Sequence, residues 1–413
     1  MDRRLFLLAS LAGLTDPVTP ILGAASAPPP ASQSGDTSFD AWSADFLARA
    51  VAAGWPEALV RAQLQGLTPD PQVVSADHRQ PEFSRPIGDY IHAAVSDKRV
   101  EDGKAKRAAL EPWLRIIRER FGVDPAVLVA IWGVESGYGS NQGDYDVVRS
   151  LATLAADGRR RGWAEGELFD CLKIVQSQAA LRQQLKGSWA GAMGQTQIEP
   201  SEFLSRGVDI DGDGKVDIWD SAPDALGSTA NILKAAGWQA GQDWAREVRL
   251  GSGFDYSLAE GPKNAPDWWA AQGAAPIDGR GWSAADAGAP CQLLLPAGAS
   301  GPAFLALPNH YVVRAYNNSM SYALAVGLIA DAVSGEPPVQ ATWPVEAPLS
   351  VQDRTGAQTA LKTLGFYAGD ADGRIGPQTR AALRLWQKQK ALPADGHLTV
   401  DLAQRLQTEA MGR

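Results

Sequence analysis

The sequence predicts a mainly α-helical protein with a small irregular or β portion and a separate helical unit at its C-terminal end. Three observations carry this. Apolar residues recur at helical spacing through much of residues 40–236 and again over 320–333. Short segments rich in Gly, Pro and Trp occupy about 240–315, and a proline-rich break precedes the final stretch. At 413 residues the chain exceeds one ordinary core, so two or three domains are expected.

Taken in order, Arg3 and Arg4 precede an apolar run from Leu5 to Leu14, and Gly23-Ala24-Ala25 offers small residues for cleavage. This is the layout of an export signal over residues 1–27, and Arg3-Arg4-Leu5-Phe6-Leu7 resembles the twin-arginine type. The run falls short of the ~18 residues that span a bilayer, so no transmembrane segment is expected. Residues 28–38 lack periodicity and read as a flexible tether. Phe46, Ala50 and Val51 then share one helical face, as do Leu110, Leu114, Ile117 and Phe121. Asp124-Pro125 is a cap followed by proline in the first helical position, opening a helix that stops near Gly137. Further helices are expected at 166–184, 223–236 and 320–333, and His310-Tyr311-Val312-Val313-Arg314 as a strand. Residues 334–347 form a linker. Beyond it, helices are expected over Val351–Leu364 and Thr379–Gln389, with a Gly369-Asp370-Ala371-Asp372-Gly373 turn between them.

Composition narrows the function. Hydrophobic residues at 45% and charged residues at 21% suit a folded soluble protein, and a net charge of −9 without a basic run excludes nucleic acid as a partner. Fourteen tryptophans suit either a sugar-binding cleft or core filling. The two cysteines, Cys171 and Cys291, are expected as small buried apolar side chains, with a disulfide the alternative in an oxidising compartment.

The sharpest chemical pattern is Ile131-Trp132-Gly133-Val134-Glu135-Ser136-Gly137-Tyr138-Gly139. An apolar helix carries one carboxyl at its C-terminal end, where the helix dipole disfavours ionisation. Burial beside Trp132 or Tyr138 acts the same way, so the Glu135 pKa is expected above the free value of ~4.3. A carboxyl kept protonated near neutral pH can protonate a glycosidic oxygen. Ordinary glycosidases need a second carboxyl. No acid sits in a comparable apolar, glycine-turned context, and Asp144 and Asp146 read as loop residues. One glutamate suffices when the substrate supplies its own nucleophile.

Asp209-Ile210-Asp211-Gly212-Asp213-Gly214-Lys215-Val216-Asp217-Ile218-Trp219-Asp220 has EF-hand spacing, with acids at positions 1, 3, 5, 9 and 12 and glycine at 6. Asp209, Asp211, Asp213 and Asp220 are the candidate side-chain ligands, and Lys215 contributes its backbone carbonyl. Asp in place of Glu at position 12 shortens the reach. A structural Ca²⁺ is expected, with Na⁺ the alternative.

With Gly187-Ser188-Trp189-Ala190-Gly191-Ala192-Met193-Gly194-Gln195-Thr196-Gln197 and Tyr316-Asn317-Asn318-Ser319…Tyr322, these segments together resemble the lytic murein transglycosylases of the membrane-bound B type, across roughly residues 40–333. The resemblance implies a lysozyme-like α+β catalytic domain over 39–333. It implies cleavage of the MurNAc–GlcNAc bond of peptidoglycan without water, leaving 1,6-anhydroMurNAc ends, with Glu135 as sole acid and base. It further implies substrate contacts from Ser188, Gln197, Tyr316, Asn317, Tyr322 and Arg160. The export signal points to the periplasm, and a monomer is expected. Glu199 departs from the family pattern by placing a charge where an apolar residue is usual. Residues 348–410 resemble the small three-helix peptidoglycan-binding domain through Asp372-Gly373-Arg374-Ile375-Gly376-Pro377-Gln378-Thr379-Arg380. A hydrolytic muramidase and a non-catalytic wall-binding scaffold remain as alternatives.

Overall fold

The computed structural model describes residues 38–78 and 85–412, so the proposed export signal and most of the tether lie outside the described residues. Two units build the fold. The first is made of the described residues up to 78 with 109–121 and 131–232, and the second of 85–108, 122–130 and 233–412.

In the first unit, helices Val147–Asp157 and Arg161–Gln176 pack on one another, and the chain reverses between them at Gly158 in the left-handed region. Asp146 caps the first of the pair by accepting from Arg149 N at 3.0 Å. Helix Phe39–Ala52 lays Trp42, Phe46 and Ala50 against them, and Phe46 and Trp55 both meet the Phe169 ring. Val51, expected on that buried face, is 38% exposed, because it lies one residue round the helix from Ala50. Glu165 is buried in this core, satisfied by Trp42 Nε1 at 2.9 Å and by a two-pronged contact from Arg49. A two-residue ribbon pairs Tyr145 with Gly187 and Asp146 with Lys186. The helix expected over 166–184 instead runs Arg161–Gln176 and ends as Gln178 turns into the left-handed region.

In the second unit, strands Ala274–Pro276, Ala245–Leu250, Ala303–Ala306 and Gln292–Leu294 form an antiparallel sheet in that spatial order. Alternation sorts its side chains. Val248, Leu293, Ala303 and Leu305 face a core around Trp269, whereas Ala245, Leu294, Phe304 and Ala306 face helix Met320–Ser334 and Trp244. His310–Arg314 is not a strand but part of helix Pro308–Tyr316. Pro308 occupies its first turn, and the burial of Asn309, Val312 and Val313 follows a helical period. Residues 335–349 carry no helix or strand yet are fastened down: Glu247 accepts from Gln340 N and Ala341 N, both at 2.8 Å, and Trp343 stacks on Phe304.

Helices Val351–Thr363, Pro377–Gln389 and Val400–Met411 close around Leu361, Leu383, Trp386 and Leu406. Buried Gln358 explains the Asp372-Gly373-Arg374 motif: its Oε1 accepts from Gly373 N at 2.7 Å, and its Nε2 donates to Asp372 Oδ1 and Arg374 O. This helical group is anchored to the sheet region. Arg380 and Arg384 both donate to Glu260, and Asp395 accepts from Ala299 N at 2.8 Å. Burial pushes the Glu260 carboxyl up, but the bonds and charges of Arg380 and Arg384 outweigh it and hold it below its usual range.

Two glycines separate close packing from chain entropy. A Cβ on Gly327 would sit 2.2 Å from the Trp244 ring, whereas one on Gly166 meets nothing. Gly327→Ala is expected to destabilise by roughly 1–3 kcal/mol, and Gly166→Ala to stabilise by roughly 0.5–1 kcal/mol. Urea unfolding of the two variants measures both signs.

Candidate active site

Helix Pro125–Ser136 begins where Asp124 Oδ1 accepts from Ala126 N at 2.7 Å and is apolar along its length until Glu135. Glu135 is half-buried in its last turn. The chain then runs through three consecutive left-handed residues, Gly137, Tyr138 and Gly139. Tyr138 adopts this conformation despite its side chain. Its N–H donates back to Trp132 O at 3.2 Å, and its ring stands edge-on to Trp132 with centroids 5.5 Å apart. Gly133 is the residue that permits this, since a Cβ there would meet the Tyr138 ring at 2.7 Å.

Ser136, 2% exposed, ties this turn to the 187–198 loop. Its hydroxyl donates to Gln195 O and accepts from Gly139 N at 2.8 Å. The loop is fixed on its other side as well. Gln195 N donates to Ile218 O, and Gln195 Nε2 and Gln142 Nε2 both donate to Trp219 O. Gly194 has φ of 70° and no room for a Cβ, which would lie 2.6 Å from Ile218 O. Turn, loop and acidic segment therefore form one hydrogen-bonded frame beside the carboxyl.

Of the residues expected at the site, Ser188 is buried with its oxygen accepting from Ala192 N at 3.1 Å. Gln197, left-handed at φ 58°, donates through Nε2 to Gln142 O and Gly194 O and keeps a buried Oε1 without a protein partner. Tyr316, Asn317 and Tyr322 belong to the second unit. Tyr316 ends helix Pro308–Tyr316, Asn317 follows it with its side-chain oxygen buried and without a protein partner, and Tyr322 is 1% exposed in the next helix. Arg160 lies over the Trp163 ring at 4.1 Å and donates to Asp77 Oδ1 at 3.2 Å.

Glu199, whose direction the sequence leaves open, is turned inward beside Arg160 and Trp163. Burial first, then the nearby Glu167 charge, push its pKa up to about 8, against the pull of Arg160. Glu167 is itself raised by burial, although it accepts from Ser201 N and Oγ. The sequence around Glu199 does not show this, because its neighbours Arg160, Trp163 and Glu167 lie more than 30 positions away in the chain.

In the 209–220 loop, the carboxylates of Asp209, Asp211 and Asp213 each present an oxygen within 4.8 Å of the others. Turn bonds hold them so: Asp209 accepts from Gly212 N and Gly214 N, Asp211 from Asp213 N, and Asp213 from Lys215 N at 2.9 Å. Asp220 is not part of this group. Asp217 turns away to cap Trp219 N and Asp220 N, and buried Asp224, outside the motif, ties the loop together by accepting from Ile210 N and Asp217 N. Three hard oxygen donors at this spacing fit a cation, and without one their charges repel. Asp77, His78 and Asp157 also converge, but Arg159 and Arg160 already neutralise Asp77. Cys171 and Cys291 are free and buried.

A helical fold that presents one half-buried carboxyl at a helix end, beside a hydrogen-bonded loop, is the arrangement of the lysozyme-like enzymes. Residues 38–331 match the transglycosylase SLT domain family, and residues 350–406 match a putative peptidoglycan binding domain. The chain belongs to the first of these families, the lytic transglycosylases of peptidoglycan. It is 35% identical over 253 residues to membrane-bound lytic murein transglycosylase B of Escherichia coli, covering 59% of this chain and 66% of that protein. It is similar to the crystal structure of SltB3 from Pseudomonas aeruginosa in complex with NAG-anhNAM-pentapeptide, with a TM-score of 0.85 and 45% identity over 89% of this chain and 99% of that one. The Escherichia coli lytic transglycosylase Slt35 in complex with calcium matches with a TM-score of 0.61 and 28% identity, over 72% of this chain and 95% of that one. Among the described residues no helix is long and apolar enough to cross a membrane.

The Glu199 pKa carries a stability prediction. A carboxyl raised from 4.5 to about 8 leaves the folded state fully favoured below the ordinary range and progressively penalised as pH climbs to about 8. Glu199→Gln is expected to flatten stability across that window and to raise it at pH 8 by roughly 1 kcal/mol or more. Denaturant midpoints at about pH 5, 6.5 and 8 measure it.

Proposed function

We propose that the enzyme cuts the MurNAc–GlcNAc bond of peptidoglycan without water, with Glu135 as its one acid and base. The observation that carries the reading is the placement of Glu135: half-buried, at the negative end of an apolar helix, in a turn locked by Ser136 and Tyr138. Glu135 gives its proton to the glycosidic oxygen as the bond to the muramic C1 breaks, and the GlcNAc-side sugar leaves as an alcohol. The muramic 6-hydroxyl then closes on C1, its proton returns to Glu135, and a 1,6-anhydro ring remains. The N-acetyl group can stabilise C1 in between. A solved relative that holds NAG-anhNAM-pentapeptide supports this product class.

Gln197 and Asn317 offer their buried, unpartnered amide oxygens to substrate N–H and O–H groups, and Tyr316 and Arg160 complete the contacts. Ser188 and Tyr322, nearly fully buried, act by shaping the site. Residues 39–333 make up the catalytic domain and 348–410 a wall-binding domain, joined by 334–347. Export by residues 1–27 delivers the chain to the periplasm, where it works as a monomer. Asp209, Asp211 and Asp213 hold a structural Ca²⁺ or Na⁺, with Lys215 contributing its carbonyl, and the ion neutralises the three converging carboxylates.

Digests of purified sacculi are expected to yield anhydro ends by mass spectrometry, and Glu135→Gln to cut turnover by at least ~10³-fold. Reducing ends in place of anhydro ends would identify a hydrolytic muramidase, and undiminished lysis by the variant would sink the role of Glu135. For the ion, EDTA is expected to lower the melting temperature and added calcium to restore it, by several degrees at ~100 Kd of free ion. Identical melting curves under all three conditions count against an ion in the loop.

A further inference from the structure

The C-terminal helical group has two faces, and they differ in what they touch. One carries Arg380, Arg384 and Asp395, all engaged with the sheet region through Glu260 and Ala299. Arg380 closes the Asp-Gly…Thr-Arg motif by which the sequence resembles a peptidoglycan-binding domain, so the motif's charged end is spent on docking rather than on a ligand. A second face holds a groove of about 440 Å³ between helices Val351–Thr363 and Val400–Met411.

Thr355, Thr359 and Thr363 line the groove at successive turns, opposite Gln407 and next to Gln352. The hydroxyls of Thr355 and Thr359 donate to Val351 O and Thr355 O, so each presents lone pairs to the groove as an acceptor. Gly356 lets Gln407 lie across the floor, since a Cβ there would sit 2.7 Å from Gln407 Nε2. No charged side chain lines the groove, and Met411, 83% exposed, adds apolar surface to its lining. Acceptors, amides and methyl groups without charge match a neutral N-acetylated sugar, and they disfavour carboxylates and phosphates. The threonine ladder extends over ~12 Å, the reach of a disaccharide.

We infer that this groove is where the C-terminal domain grips the glycan strand, recognising N-acetylhexosamine units by their amide and hydroxyl groups. The inference rests on the proposed wall-binding role of residues 348–410 and locates it. Full-length protein carrying Glu135→Gln, so that no strand is cut, is irradiated with an N-acetylglucosamine disaccharide bearing a photoreactive diazirine in its acyl group, and the cross-linked peptides are mapped by mass spectrometry. Labelling is expected in 352–363 and 404–411. It is expected to fall at least tenfold when Thr359→Arg, at an exposed helix position, puts a bulky cation into the groove, and to fall with Gln407→Ala also. Arg380→Ala on the docking face leaves it unchanged. Labels confined to other parts of 350–412, or labelling indifferent to Thr359→Arg and Gln407→Ala, overturn the groove while wall binding stands. No label anywhere in 350–412 removes both.

Discussion

Two of the hydrogen bonds at the hydroxyl of Ser136 reach beyond its own helix, and much of the first unit's chemistry depends on that pair. By donating to Gln195 O and accepting from Gly139 N, it joins the end of the Glu135 helix to the loop that carries Ser188 and Gln197. Gln195 O is buried and Gly139 N partly so, and an unmet buried amide or carbonyl costs roughly 1–3 kcal/mol. The turn that follows, with three residues in the left-handed region, has no regular hydrogen-bond ladder to define it. Ser136 and the Trp132–Tyr138 ring contact supply that definition instead. A carboxyl that must meet one oxygen of a departing sugar needs such a rigid mount, because a small misplacement costs rate steeply.

The same frame extends to the acidic loop. Trp219 O receives the side-chain amides of both Gln142 and Gln195. The position of Trp219 depends on how the aspartates before it are arranged, and Asp224 and Asp217 stabilise that arrangement with backbone N–H groups. The loop thus acts on catalysis through geometry, as a brace under Gln195. Its carboxylates need not approach the substrate.

Local signals were legible in the sequence where a short segment decides its own structure. Asp124-Pro125 marks a helix start whatever packs on it, and the helix ends at Gly137 as glycine spacing suggests. The position of Glu135 in the last turn of that helix could be read for the same reason. Features that depend on distant neighbours were not. Tyr311-Val312-Val313 has strand propensity, but Pro308 and burial on a helical face override it. Asp224 lies outside the EF-hand spacing and is recruited by the fold, while Asp220, inside the spacing, stands apart from the converging carboxylates. The inward turn of Glu199 brings it beside Arg160 and Trp163, about 40 positions upstream, which no periodicity announces.

The contact of Glu260 with Arg380 and Arg384 changes how the proline-rich stretch before the last three helices is to be understood. A free connector lets its cargo sample a volume that grows with connector length, and the local concentration of the cargo falls accordingly. Here the cargo is moored at a defined address by a carboxylate and two guanidinium groups, and the connector itself is pinned through Glu247 and Trp343. Position is then set by the berth, and the number of residues in between becomes nearly irrelevant to where the last three helices stand.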